Sequence, residues 1–374
     1  MKINEEIKKI FQERKNFIFI KDTIKNKSYT YQDFLNRSKE MVNFLRSKKI
    51  KEGDKIIIKL ENSYEYLCLV FACFLGNFVA CPLDTEIKKD KFKEIVNILK
   101  PSIKITSLKQ IKPTKKQYNT HIKDNKIFLI IFTSGTTGKP KGIAISNKAY
   151  LNSSKSFSQL AEYSENSVIL HFLPMYYNAG LLNTFFAAFV AKSTIVIAKK
   201  ISALNISNFW KIFDYEKINS THVTPEIANV LTRFKKNLDL NKKIFNLQII
   251  STGSYLHPNI VDKFEKIYNK RLLSCYGLTE LGGPLSLQCW ENTYVKGSVG
   301  YHSEEIKIKI LNKLSKKQIL IKSPNSMSFF IDDRGKKFKP KLINGYFNTG
   351  DIGDYKKKEL FIFGRRKDII KKGA

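Results

Sequence analysis

Between about residues 54 and 276, short apolar runs alternate with amphipathic stretches. Asp54–Leu60 reads as a β-rich run followed by a helical stretch to about Leu75, and Phe78–Pro82 as a short buried strand. Lys126–Phe132 is a further strand that runs into a Gly/Thr-rich loop. Val168–Phe172, Thr194–Ala198, Ser220–Val223, Leu247–Ser251 and Arg271–Cys275 repeat the strand pattern, with helical stretches such as Glu226–Phe234 and Pro258–Ile267 between them. Fully apolar short strands alternating with amphipathic helices predict parallel sheets covered by helices. After about residue 295 the pattern changes. Glu304–Ile310, Gln318–Lys322, Ser326–Ile331 and Leu360–Gly364 are short strand-like segments with polar turns and no long helix between them. They predict a small antiparallel sheet or barrel appended to the α/β core. No internal repeat or low-complexity linker is present.

The length of 374 residues predicts two or three lobes, and a hydrophobic share of 43% predicts a globular chain. The most apolar run, Tyr66–Leu83, approaches the length of a membrane span but is broken by Gly76, Asn77 and Pro82. It reads as a buried helix followed by a buried strand. The N-terminus lacks an apolar signal region, and the expected location is cytoplasmic. Five cysteines without a C-x-x-C pair indicate neither a zinc site nor a disulfide framework.

Charge changes the picture little. Lys plus Arg number 66 against 33 acidic residues, a net of +33. The basic clusters, among them Lys115–Lys116 and Lys336–Lys337, are scattered and form no stripe interleaved with aromatics. Composition bias therefore explains them better than nucleic-acid binding, although a positive field still attracts small polyanions.

The strongest local signal is Ile131–Gly142, IFTSGTTGKPKG. Its glycines allow tight turns that expose backbone N–H groups. Thr133, Ser134, Thr136 and Thr137 add hydroxyls, and Lys139 and Lys141 add charge, so the loop can wrap a polyphosphate. Pro140 and Gly142 exclude the G-x-x-x-x-G-K-[ST] pattern of Walker-type NTPases.

This loop resembles the phosphate loop of the adenylate-forming superfamily of acyl-CoA synthetases, peptide-synthetase adenylation domains and luciferases. Other segments resemble the family's motifs in order: Ser28–Tyr31, Ala80–Asp84 (ACPLD), Leu173–Gly180 (LPMYYNAG), Thr221–Pro225 (THVTP), Ser251–Leu256 (STGSYL), Tyr276–Glu280 (YGLTE), Gly297–Gly300 (GSVG), Gly345–Asp351 (GYFNTGD) and Gly364–Lys371 (GRRKDIIK). The resemblance implies a large α/β fold of two doubly wound, mostly parallel sheets with a small β-barrel-like subdomain. The family's C-terminal lid domain is absent from these residues. The implied division is an AMP-binding N-terminal domain over 1–363, α/β to about 294 and β-rich thereafter, and a hinge motif over 364–374.

The implied activity is ATP-dependent conversion of a carboxylic acid to an acyl-adenylate, for transfer to coenzyme A or a phosphopantetheine carrier. The alternative is a nucleotide-binding relative that is non-catalytic or depends on a partner. By the resemblance, Thr133, Ser134, Gly135, Thr136, Thr137, Gly138 and Lys141 hold the β- and γ-phosphates, and Thr279 contacts the α-phosphate. Glu280 ligates Mg²⁺, and Thr133, Lys141 and Glu280 form the catalytic set. Tyr276 stacks on adenine, with Gly277 beside it and the Gly253–Ser254 backbone opposite. Asp351 takes the ribose hydroxyls and Arg365 approaches the ribose and phosphates. Tyr177, Asn178 and His222 border the acyl pocket, and Lys367 is the hinge.

Two departures stand out. Tyr177 occupies a position where many acyl-CoA synthetases carry His, and LPMYYNAG contains no Asp to pair an amine, so a plain carboxylic acid is expected over an α-amino acid. The lysine-bearing C-terminal domain does not follow the hinge within the 374 residues, which makes a separate C-terminal domain or an acyl carrier protein an expected partner.

Overall fold

The computed structural model describes residues 2–114, 116–134, 140–199, 206, 209–233, 247–289, 295, 297–313 and 316–366. Two sheets organise the described residues. Six parallel strands form the centre of the larger one, in the order Ile18–Asp22, Thr194–Ile197, Val168–His171, Ser220–Val223, Gln248–Ser251 and Leu272–Leu278. The smaller sheet has a parallel half, Ile103–Ile105, Lys55–Ile58, Val79–Pro82 and Ile127–Ser134. Its other half is antiparallel: Pro140–Ser146, Phe329–Ile331 and Lys337–Phe338.

The predicted Tyr66–Leu83 pattern resolves as helix Tyr64–Gly76, apolar on all sides, and strand Val79–Pro82, buried throughout. Asn77 adopts the left-handed conformation that ends the helix, and its side chain ties the junction to the Lys123 N–H and the His121 carbonyl. Among the described residues no helix is long and apolar enough to cross a membrane.

The deepest core lies between the two sheets, where both inner faces meet the helices Ile3–Arg14, Tyr31–Ser47, Tyr64–Gly76, Asn147–Leu160 and the segment 178–190. Aromatic rings dominate it. Phe71 packs against Phe11, Phe34, Phe74, Phe185, Phe186 and Phe189 at centroid separations of 5.0–6.4 Å. The outer faces carry separate cores, under helices Lys211–Glu216, Pro225–Leu231 and Pro258–Tyr268 on the large sheet and under Lys89–Leu99 on the small one. The layering is therefore helix, sheet, helix, sheet, helix.

Two of the family-like segments also supply helix caps. Thr30 caps helix Tyr31–Ser47, accepting from Asp33 N while the Asp33 carboxylate accepts from Thr30 N. In THVTP, Thr224 caps helix Pro225–Leu231 and Pro225 takes its first position, where no amide donor is needed.

Of the expected antiparallel sheet or barrel, the antiparallel strands are present, and they continue the large sheet instead of closing into a barrel. The far edge of Leu272–Leu278 pairs antiparallel with Gly283–Leu287, and Ser298–His302, Glu359–Arg365, Tyr346–Lys356, Lys316–Lys322 and Lys307–Lys313 follow. Within the expected strand Ser326–Ile331, Phe329–Ile331 leaves this group altogether and pairs with Pro140–Ser146 in the small sheet. Strand Ile127–Ser134 has the expected parallel partner, Val79–Pro82, on one edge and an antiparallel one, Pro140–Ser146, on the other.

Truncating Phe71 to Ala empties the centre of the aromatic layer. A loss of about 3–5 kcal/mol is expected, read as a lower urea midpoint for the first unfolding transition. An unchanged midpoint would refute the assignment of this layer as the main core.

Candidate functional site

Strand Leu272–Leu278 is where the large sheet changes from parallel to antiparallel, and a cavity of about 510 Å³ opens beside it. That volume lies within the range of small-molecule sites. Its walls come from the Gly253–Leu256 turn after strand Gln248–Ser251, from Ser274–Leu278, from Gln288, from Gly297–Val299, and from Asp351, Gly364 and Arg365. Crevices beyond the carboxyl ends of parallel strands, where the strand order changes, are the usual place for ligands in such sheets.

The backbone accounts for this geometry. A Cβ on Gly277 would lie 2.3 Å from the Gly283 carbonyl oxygen, so the two strands meet this closely only because residue 277 has no side chain. Gly253 holds φ at +101°, which turns the chain sharply at the cavity wall.

Asp351 is the electrostatic centre. It is 3% exposed. One carboxylate oxygen accepts from Tyr276 Oη at 2.7 Å and the other from Arg365 Nε at 3.1 Å. Its backbone N–H donates to Thr349 Oγ1, whose own hydroxyl donates to the Ile319 carbonyl. The Asn348–Gly350 turn that delivers it is fixed by Gly350 N–H on Asn348 Oδ1 and by the left-handed Gly350. A carboxylate has about four acceptor positions, so two charge-assisted bonds leave capacity for more donors. Burial, and then the adjacent Asp351 charge, hold the Tyr276 hydroxyl protonated far above its ordinary range. Arg365 stands at the outer side, with its side chain 56% exposed against 4% for that of Asp351.

Thr279 and Glu280 occupy a short 3-10 turn directly after the seam strand, outside the cavity lining. The Glu280 carbonyl accepts from Met327 N at 3.0 Å, and the next residue, Ser328, donates its N–H to Ala144 O at 2.7 Å. A two-residue step thus links this turn to strand Pro140–Ser146, which carries Lys141. Thr133 lies opposite Lys141 across the hairpin, with Ser134 opposite Pro140. The Lys141 ammonium sits 3.2 Å above the Phe330 ring and 5.4 Å from that of Phe338. Gly135, Thr136, Thr137 and Gly138 of the loop, and the hinge residue Lys367, lie outside the described residues.

Of the sequence candidates, Gly253, Ser254, Tyr276, Gly277, Asp351 and Arg365 converge on the one cavity. The three acyl-pocket candidates do not line it. Tyr177 is largely exposed and its ring meets that of Tyr176, whose hydroxyl donates to Asp84 Oδ2 at 2.8 Å. Asn178 is buried and begins the short helix Asn178–Leu181, which runs into a π turn at Leu182–Phe186. A Cβ on Gly283 would lie 3.2 Å from its Nδ2. His222 is fully buried, with Nε2 2.9 Å from Tyr163 Oη and the Phe157 ring alongside. His171 sits one strand away, with Nδ1 2.7 Å from Thr184 Oγ1. Sequence reasoning missed Gln288 and Ser274 in the cavity wall. Ser274 lies two residues before Tyr276 and so shares its strand face, a signal available from the period of two.

Metal ligation was expected at Glu280 alone, and among the described residues no group of three His, Cys, Asp or Glu converges on one point. Mg²⁺ commonly takes one or two carboxylates together with substrate phosphates, and a single half-buried carboxylate such as Glu280 fits that mode.

Comparisons with known proteins bear on the family and the fold. The family model of the AMP-binding enzymes matches residues 8–126 and 106–329. A 2-succinylbenzoate–CoA ligase of Staphylococcus epidermidis is 25% identical, with 93% of this chain and 74% of that protein covered. A malonate–CoA ligase of Arabidopsis thaliana is 28% identical over 66% of this chain and 44% of its own length. The fold matches the ATP-bound crystal structure of MatB from Rhodopseudomonas palustris at a TM-score of 0.85 and 18% identity, covering 98% of this chain and 79% of that one.

Burial lowers the pKa of both His171 and His222 to about 3. The unfolded chain binds protons on them below about pH 6.5 while the folded chain does not, so their contribution is intact above that pH and is lost as pH falls. The expected slope is about 1.4 kcal/mol per pH unit for each. Urea midpoints between pH 7.5 and 5.5 should fall, and His222→Asn should fall less steeply. A flat wild-type profile would contradict neutral burial.

Proposed function

The chain belongs to the AMP-binding enzyme family, and on that premise we propose that it activates a carboxylic acid with ATP, forming an acyl-adenylate and pyrophosphate, and passes the acyl group to the thiol of coenzyme A. The observation that carries this reading is the buried Asp351 carboxylate, set between Tyr276 and Arg365 at one end of a nucleotide-sized cavity. The named relatives support the overall reaction, since both are CoA ligases.

The chemistry follows from charge. A carboxylate must approach the α-phosphorus of a polyanion, so the protein has to position two anions against their repulsion. In this reading Asp351 accepts from the ribose hydroxyls while Arg365 offsets its charge. Tyr276 offers its ring to adenine and keeps its hydroxyl on Asp351, so the base platform and the ribose hook are one hydrogen-bonded unit. The backbone of Gly253–Ser254 faces the base from the other wall. Thr133, Ser134, Gly135, Thr136, Thr137 and Gly138 hold the β- and γ-phosphates, with Lys141 leaving the Phe330 ring to meet them. Thr279 donates to the α-phosphate. Glu280 ligates Mg²⁺, which when bound reduces the repulsion between phosphates and acid. Residues 1–363 form the nucleotide-binding unit and the hinge at Lys367 follows it.

For the acid, Tyr177, Asn178 and His222 mark the pocket border. 2-Succinylbenzoate and malonate, the acids in the relatives' names, each carry two carboxylates, so short polar acids head the list of substrates. The buried carbonyl-and-amide group of Asn178 can hydrogen-bond such an acid.

The test is acid-dependent ATP–pyrophosphate exchange over a panel of short dicarboxylic, aryl and fatty acids, with the chain alone and with a family C-terminal domain supplied. Exchange with at least one acid is expected, and Asp351→Ala should raise the KM for ATP about tenfold or more. Absence of exchange with every acid, together with no saturable ATP binding, overturns the proposal.

A further inference from the structure

Gln288 is the one buried side-chain amide in the cavity wall, and its orientation is set by the backbone. Its N–H donates to the Ser274 carbonyl at 3.1 Å, and its side-chain Oε1 accepts from the Ser274 N–H at 2.7 Å. A flipped amide would set two donors face to face, so the oxygen must be the atom on Ser274 and the NH₂ is the other end. No described residue accepts from that NH₂. That NH₂ is therefore open to the cavity, where a ligand acceptor can take it. Ser274 lies beside it in the lining, on the strand face it shares with Tyr276 and roughly 6.5 Å before it along the strand. Tyr276 in turn reaches Asp351 with its hydroxyl. In order, the wall therefore presents an amide donor with a hydroxyl, an aromatic ring, and a carboxylate.

We propose that Gln288 reads the nucleobase: its NH₂ donates to an acceptor ring nitrogen of adenine, with the Ser274 hydroxyl beside it to accept from the exocyclic amino group. This rests on the cavity being the nucleotide site. It adds a specificity-determining residue that lies outside the family-like motifs of the sequence. A side chain whose oxygen is already committed presents only a donor. A purine that carries a proton on the facing nitrogen would set donor against donor, and buried sites reject such mismatches more strongly than they reward matches.

The experiment measures binding of ATP and of its 1-deaza, 3-deaza and 7-deaza analogues to the wild-type chain, each analogue replacing one ring nitrogen by C–H. One analogue should bind about tenfold more weakly than ATP. In Gln288→Leu that difference should vanish, and Gln288→Glu, which replaces the donor by an acceptor, should narrow the preference for ATP over inosine triphosphate. If all three analogues bind the wild-type chain as ATP does, the inference is overturned, whether or not the variants fold. It is also overturned if the weaker binding of one analogue persists unchanged in a folded Gln288→Leu. Failure of the wild-type chain to bind ATP at all removes the nucleotide reading itself, a distinguishable result.

Discussion

Everything at the site depends on strand Leu272–Leu278 having two unlike neighbours. One edge satisfies its backbone in parallel with Gln248–Ser251, the other in antiparallel with Gly283–Leu287. A parallel partner requires a crossover and an antiparallel one only a tight turn, so the chain reverses at Thr279–Gly283 instead of crossing a layer. That reversal brings the second half of the large sheet back over the end of the first. Gly277 sets how close the return can come. Tyr276 on this strand and Gln288, just past the end of Gly283–Leu287, then face one space, and Asp351 enters the same space from strand Tyr346–Lys356.

The electrostatic design is asymmetric. Asp351 is placed deep and Arg365 shallow, so the burial cost of the carboxylate is met mainly by the neutral Tyr276 hydroxyl and by an ion pair whose cation keeps much of its water. The arrangement lets the cation exchange partners at small cost while the carboxylate stays fixed. Lys141 follows a similar pattern on the other sheet, where the Phe330 face holds its ammonium.

Much of this was legible in the residues. Short, fully apolar, β-branched runs bounded by polar residues pointed to the parallel strands, since a strand buried on both faces is too short for a helix. The motif order located Tyr276, Asp351, Arg365 and the Gly253–Ser254 turn, and these do share one cavity. What escaped was pairing. Nothing in Phe329–Ile331 announces that it belongs to a sheet whose other members end near residue 146, since a short apolar strand fits either sheet and its partner is chosen by long-range packing. Gln288 escaped for a related reason: its role depends on Ser274 across a strand pair, and a lone glutamine carries no local signal. Thr30, within a family-like segment, serves as a helix cap that any Ser or Thr could supply.

The detour of Phe329–Ile331 has a consequence for how the chain reaches its final form. The small sheet begins with Lys55–Ile58 and is completed only by segments near residues 329–338. The large sheet pairs Ile20 with Ile195 and closes its antiparallel half with Glu359–Arg365. During synthesis, neither sheet can acquire its last strands until most of the polypeptide has emerged. Such non-local pairings fold slowly and leave strand edges uncovered in the meantime. Until Phe329–Ile331 arrives, the edge of Pro140–Ser146 that it will cover stays unpaired in the nascent chain.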